Sequence, residues 1–340
     1  MNISRHCGHH HHDNCGHAGH GHHEHSHDHD HHHHDDHDDH HHDHDHDHEH
    51  GRPGAVRPGI LLAAFGVARP EARQGYDLMA AEVSAQFPGL PVAWAYTAHK
   101  VRRKLTAMGQ NYDSVAVALS RLHDDGVTHL AVQSLHTVPG VEYHWTRNQA
   151  LAFVHPRKGF QKVSVGMPLL SSEDDLTLAA RGLQSYIPAD RQSDEALILV
   201  GHGTYHQGQQ LYLDFEAVAR QHDPLVFLGA LMSRPGESLG VTTIIARLKE
   251  SGISRCHLLP FMSVPGHHVQ MDILGDSSRS WQNRLRAEGI EVRSTSTGTL
   301  EHKPFRDLWM EHLREAHSRL DQNDAASCCP SHHGDHHAHF

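Results

Sequence analysis

The chain has 340 residues, 44 of them histidine, and a net charge of −12 with histidine neutral. Residues 1–50 hold 24 of those histidines and 12 acidic residues against the single base Arg5, so the rest of the chain is almost neutral. A neutral body offers no basic face to nucleic acid, and no apolar stretch reaches the roughly 18 residues that span a bilayer.

From His9 to His50 the chain is little more than His, Asp and Gly, as in "HDHDHHHHDDHDDHHHDHDHDHEH". Such a segment buries no apolar surface to offset the entropy of ordering, so residues 1–57 are expected to be a disordered tail. An expression tag would be a short pure run without interleaved Asp, Cys and Gly. Imidazole with carboxylate suits Co²⁺, Ni²⁺, Cu²⁺ and Zn²⁺ without choosing among them, so the tail reads as an unselective metal collector. Residues 322–340, ending "CCPSHHGDHHAHF", repeat the theme with two thiols. Cys7, Cys15, Cys328 and Cys329 lie in these ends, which leaves Cys256 alone in the body and excludes an internal disulfide there. No apolar h-region opens the chain, so a cytoplasmic protein without a secretory signal is expected.

The body begins with "GILLAAFG" (residues 59–66), a short apolar run closed by glycine, as a buried parallel strand reads. A helix over 70–87 starts at a proline, whose missing N–H costs nothing there. Then come a strand at 92–97, helices at 99–108 and 114–125, and a strand at 129–135. The alternation continues with a strand at 162–167, a helix at 174–186, a strand at 196–200 and a helix at 209–221. Strands at 225–231, 256–262 and 291–295 follow, with helices at 242–251 and 303–320. This order predicts an α/β protein of parallel sheets with helices on both faces.

Two stretches echo each other. "THLAVQSLHTVPG" (128–140) and "SRCHLLPFMSVPG" (254–266) are both strands running into Val-Pro-Gly, each downstream of a glycine-closed strand, "LLAAFG" or "LILVGHG". The expected architecture is therefore two similar halves, 58–192 and 193–321, facing each other across a cleft at the carboxyl ends of their strands. His202, in the Gly-His-Gly turn, and the pair His267/His268, after the second Val-Pro-Gly, would both reach that cleft. A lone turn histidine is as often bonded to backbone as to a ligand, and His206 reads as a histidine at a helix start. His99, His129 and His257 read as packing or surface residues, and Met262 and Met271 as core.

"LLAAFGVARPEAR", "THLAVQSLHTVPGVEY", "LVGHGTYH" and "LLPFMSVPGHHVQMDILGDSSRSWQNRLRAEGIEV" together resemble the sirohydrochlorin cobaltochelatases, class II chelatases with a ferrochelatase-like fold, over residues 58–320. The resemblance implies an enzyme that inserts Co²⁺ into sirohydrochlorin on the anaerobic route to cobalamin. It implies that His202, His268 (rather than His267) and Glu142 hold the metal and serve catalysis. Some relatives carry a further metal-binding Glu where this chain has Met232; either the site is built without it or Glu237 reaches in. The metal is a substrate, sirohydrochlorin is the partner, and no tightly bound cofactor is implied. An oligomer of identical chains is compatible with the sequence.

Insertion must remove two pyrrole protons and strip the metal of water, and neutral imidazole suits both tasks. Arg102, Arg103, Lys104 and Arg234 are candidate partners for substrate carboxylates from position alone, although a solvated helix face explains the first three as well. The competing readings are a nickel or iron chelatase on the same tetrapyrrole, a non-catalytic metallochaperone or metal store, and a tetrapyrrole binder without chelation. Paired cleft histidines argue against the last.

Overall fold

The computed structural model describes residues 55–322 apart from residue 235, so the readings made for residues 1–54 and 323–340 lie outside the described residues. Two four-stranded parallel sheets form the body. The first contains β1 (Pro58–Ala64), β2 (Val92–Tyr96), β3 (His129–Ser134) and β4 (Lys162–Gly166) in the order β2-β1-β3-β4. The second contains β5 (Ala196–Gly201), β6 (Val226–Ala230), β7 (Arg255–Pro260) and β8 (Glu291–Ser294) in the order β6-β5-β7-β8.

The helices of the first half are α1 (Gln74–Gln86), α2 (His99–Ala107), α3 (Val115–Asp124), α4 (Val141–Ala152) and α5 (Glu173–Gly182). Those that follow are α6 (Gln210–His222), α7 (Val241–Glu250), α8 (Trp281–Ala287) and α9 (Lys303–Asp321). Serine hydroxyls cap three of them where the chain turns into a helix: Ser114 accepts from the Val117 amide, Ser172 from Asp175 and Ser280 from Asn283.

β1 and β5 are central strands, and their apolar runs are buried on both faces. Each buried Ile or Leu there stabilises the fold by about 1.5–3 kcal/mol. The core runs through both sheets, joining Ile60 and Leu62 to Leu197, Leu199, Phe261 and Trp309. The last helix, α9, lies across β3 and β4 of the first sheet and buries Trp309 there.

In each sheet the chain leaves the first strand towards one neighbour and returns beyond it to the other. This puts a topological switch point between β1 and β3, and another between β5 and β7. Crevices at such points, beyond the carboxyl ends of the strands, are where open α/β sheets take ligands. Met271 departs from its expected place in the core: it is 50% exposed in a π-helical turn, Val269–Ile273, whose inward positions are Val269 and Ile273.

Candidate active site

His202 is the first residue beyond β5, and Gly203 behind it has φ +79°. A side chain at residue 203 would be strained by that φ and would meet the Met232 carbonyl at 2.8 Å, so the turn that presents His202 requires glycine. The ring is largely enclosed. Its Nδ1 lies 3.1 Å from the Gly203 carbonyl oxygen. A carbonyl only accepts, so Nδ1 carries the proton and the Nε2 lone pair is free. Burial lowers the His202 pKa; the Gly203 bond opposes this, and the neighbouring His268 lowers it further. The ring is therefore neutral at neutral pH and available as a ligand.

His268 stands at the head of the π-helical turn after β7. Its Nδ1 donates to the Asp272 carboxylate at 2.6 Å, which again leaves Nε2 bare. The two rings meet edge to face with centroids 5.2 Å apart, and Phe65, the first residue beyond β1, packs at 5.6 Å from His202 and 6.5 Å from His268. His267 is exposed, with its centroid 6.1 Å from that of His268. It stands beside the pair rather than in it.

These residues line a cleft of about 790 Å³ between the two halves. Its walls are largely apolar, with Phe65, Val67, Tyr76, Leu135, Tyr212 and Val264 among them. Glu142, the second residue of α4, faces the same cleft from the first half, and its charge is felt by His202. Among the described residues no three His, Cys, Asp or Glu side chains converge into a closed metal cage. A pair of imidazoles with open positions suits a metal that has to leave again.

One residue of the cleft has little signal in the sequence. His136 lies just beyond β3; its Nδ1 is 2.8 Å from the Ser134 hydroxyl, and its Nε2 is buried without a partner. Burial pushes its pKa down to about 4, although Glu142 opposes that and His202 adds to it. Its position in the first repeat, at the end of a strand and six residues before Glu142, is the only cue.

Of the other sequence candidates, His206 accepts from the Gly208 amide at 3.3 Å at the start of a short helical turn and packs on His144, as a helix-start histidine does. His129 bonds the Thr128 hydroxyl at 3.0 Å, and buried His257 bonds that of Thr295 at 2.8 Å. His99 and Lys104 line the cleft, as does half-buried Met262. Arg102 is committed to the backbone carbonyls of Tyr96 and Thr97. Glu237 accepts from the Arg234 amide at 2.8 Å and from the Ser233 hydroxyl at 3.2 Å, so its carboxylate closes its own loop. Met232 is half-buried, and its amide donates to the His202 carbonyl at 2.8 Å.

The family model for cobalt chelatase (CbiK) matches residues 58–318. The chain belongs to the CbiK cobalt chelatase family. Sirohydrochlorin cobaltochelatase CbiKC of Nitratidesulfovibrio vulgaris is 37% identical over 268 residues, which is 78% of this chain and 92% of that protein. Sirohydrochlorin cobaltochelatase of Salmonella typhimurium is 31% identical over 238 residues, 69% of this chain and 86% of that one. Among solved structures, SirB from Bacillus subtilis with Fe³⁺ superposes with a TM-score of 0.54 at 13% identity, covering 78% of this chain and 98% of SirB. That likeness bears on the fold, and it is the chelatase fold of two parallel sheets expected from the sequence. As a member of this family the chain is an enzyme. Among the described residues no helix is long and apolar enough to cross a membrane.

Proposed function

We propose that this chain inserts Co²⁺ into sirohydrochlorin, with the metal as a substrate and no resident cofactor. The observation that carries the reading is the imidazole pair: two rings 5.2 Å apart, each with Nδ1 committed to an oxygen acceptor, so that both Nε2 lone pairs are free for one metal ion. The largely apolar cleft beside them has room for a macrocycle.

In this reading His202 and His268 hold the incoming Co²⁺ against one face of the ring, and Glu142 flanks them. Two pyrrole N–H bonds break and the freed nitrogen lone pairs bond to cobalt as the two Co–Nε2 bonds break. The two protons pass to Glu142 or to an imidazole Nε2 so released, and no electron is transferred. His202 is kept neutral by its burial, as both metal binding and proton acceptance demand.

Residues 58–192 and 193–321 would form the two halves, while residues 1–57 and 322–340 would collect metal. A nickel or iron chelatase and a metallochaperone are not favoured: the cleft is fit for a macrocycle, which a metal carrier does not need, and the matched relatives are named for cobalt. The test is anaerobic insertion of Co²⁺, Ni²⁺ and Fe²⁺ into sirohydrochlorin, followed by absorbance, with the wild type and His202→Ala. Co²⁺ insertion that is abolished in the variant supports the reading. Insertion of Ni²⁺ or Fe²⁺ alone, or a fully active variant, overturns it.

A further inference from the structure

His202 and His268 do not back onto solid protein. They also line a second cavity of about 560 Å³, on the side of the pair occupied by the second half alone. Its chemistry is unlike that of the cleft. Three arginines, Arg234, Arg279 and Arg284, stand around it. Its one carboxylate, Asp272, is engaged by His268.

Among the described residues Arg279 has no carboxylate within ion-pair distance. The Arg284 guanidinium donates to the Thr242 hydroxyl at 2.8 Å, and Arg234 lies over the Tyr205 ring with Glu237 at 4.0 Å. The first turn of α7 supplies Val241, Thr242 and Thr243 to the same wall, and its N-cap, Gly240, offers no side-chain cap to the free amides.

We infer that this basin is a carboxylate subsite, which takes acid side chains from the rim of the tetrapyrrole while the nitrogens face His202 and His268. The inference rests on the chelatase reading given above. Three guanidinium groups repel a divalent cation, so the basin is unsuited to be the metal's way in. They match carboxylate geometry through paired N–H donors. The substrate carries carboxylates around its whole rim, and a rim that extends past the imidazole pair meets this basin before bulk water. The cleft would then hold the apolar ring and the basin its acids. Because arginine stays charged at every pH at which the fold survives, the contact fixes the orientation of the ring without competing with His202 and His268 for protons.

The test uses the full chain with Arg279→Ala, Arg284→Ala, the double variant and Arg284→Lys. Binding of metal-free sirohydrochlorin is read from quenching of its fluorescence, and insertion is measured at a clamped free Co²⁺ concentration. Each Ala variant should raise Kd and KM for sirohydrochlorin ~10-fold, with kcat nearly constant and the half-saturating Co²⁺ unchanged. Arg284→Lys, which keeps the charge and loses the fork, should fall between. Sirohydrochlorin with its acids esterified should bind wild type and double variant equally weakly.

An unchanged KM in the double variant overturns the proposal. So does an equal loss for the esterified ring, or a rise in half-saturating Co²⁺ that matches the rise in KM. Citrate that binds the wild type in an arginine-dependent way without competing with sirohydrochlorin would overturn it too, because the basin would then take free small anions instead. A wild type that binds sirohydrochlorin but inserts no cobalt would defeat the chelatase reading, whereas the binding arm, which needs no metal, would still decide the subsite.

Discussion

Asp272 offers a direct way to ask whether His268 works as a metal ligand. Its carboxylate accepts from His268 Nδ1 at 2.6 Å, four residues along the π-helical turn. The two side chains are 42% and 52% exposed, so as an ion pair they add less than about 1 kcal/mol to stability. Their value lies in orientation: the bond fixes the tautomer and the setting of the ring, leaving Nε2 bare. Removing such an outer partner of a ligating histidine costs about 10–100-fold in metal affinity, and the exposure of this pair places the loss near ~10-fold. Asp272→Ala should therefore raise the half-saturating Co²⁺ ~10-fold at saturating tetrapyrrole, with the rate at saturating metal and the thermal midpoint little changed. Asp272→Asn, whose amide oxygen still accepts from Nδ1, should cost only ~3-fold. The assay clamps free Co²⁺ with a chelator buffer so that the 24 histidines of residues 1–50 do not deplete it. An unchanged half-saturation in Asp272→Ala, or a fall in the saturated rate without any shift, would refute the orientation argument.

His202→Ala and His268→Ala should each lower the insertion rate ~100-fold or more while the protein stays folded, whereas His267→Ala should be mild; a severe His267→Ala beside a mild His268→Ala would mean that the two imidazoles of that turn have been assigned the wrong way round. Met232→Glu should tighten metal binding or change the ranking of Co²⁺, Ni²⁺ and Fe²⁺, and an unchanged ranking with a large loss of stability would make Met232 a packing residue. Asp175, buried between α5 and α9, would have its pKa raised by burial alone, but hydrogen bonds from His312 at 3.0 Å and Ser171 at 2.7 Å reverse this and hold it below the ordinary value. The folded state thus resists protonation more than the unfolded chain, so the contribution is complete above about pH 4 and is lost as the pH falls below that. Asp175→Ala should cost about 3 kcal/mol at neutral pH, with the gap to wild type closing in acid; a gap independent of pH in thermal melts would count against the pairing.

The central strands were legible because parallel strands buried on both faces read as short unbroken apolar runs, as Ile60–Ala64 and Ala196–Val200 do. The polar, half-buried edge strands β4 and β8 were placed by the alternation of elements. Two helices were not legible. α4 leaves Val141 and Trp145 exposed and buries Tyr143, Thr146 and Ala150, so its apolar pattern does not mark an inner face. α8 has only seven residues, too few for a periodicity to emerge. His202 stood out because it follows a strand end directly in a Gly-His-Gly turn, and His267/His268 because they come straight after the repeated Val-Pro-Gly. The arginine basin had no such signature, since its walls come from the loop after β6, the start of α7 and the segment leading into α8. The packing of α9 on the first sheet was equally hidden, because an amphipathic pattern states that a face is buried but not against what.

The two halves explain why the site is asymmetric on a symmetric scaffold. Ala64 ends β1 beside Tyr96, and Gly201 ends β5 beside Ala230. The next residues are Phe65 and His202, each followed by a glycine with positive φ, +94° at Gly66 and +79° at Gly203. After β3 and β7 the chain runs Val-Pro-Gly in both halves, and two residues beyond that glycine stand Glu142 and His268. The same two positions thus carry an apolar ring and a carboxylate in the first half, and two imidazoles in the second. Had both halves carried imidazoles, four neutral ligands would close round the metal and hold it back from the macrocycle. With Phe65 packed against both rings, the proposed metal-binding edge would be confined to the second half. In the proposed reading the opposite wall, lined by Glu142, would stay open to the ring that takes the metal, and Glu142 would meet the protons it gives up.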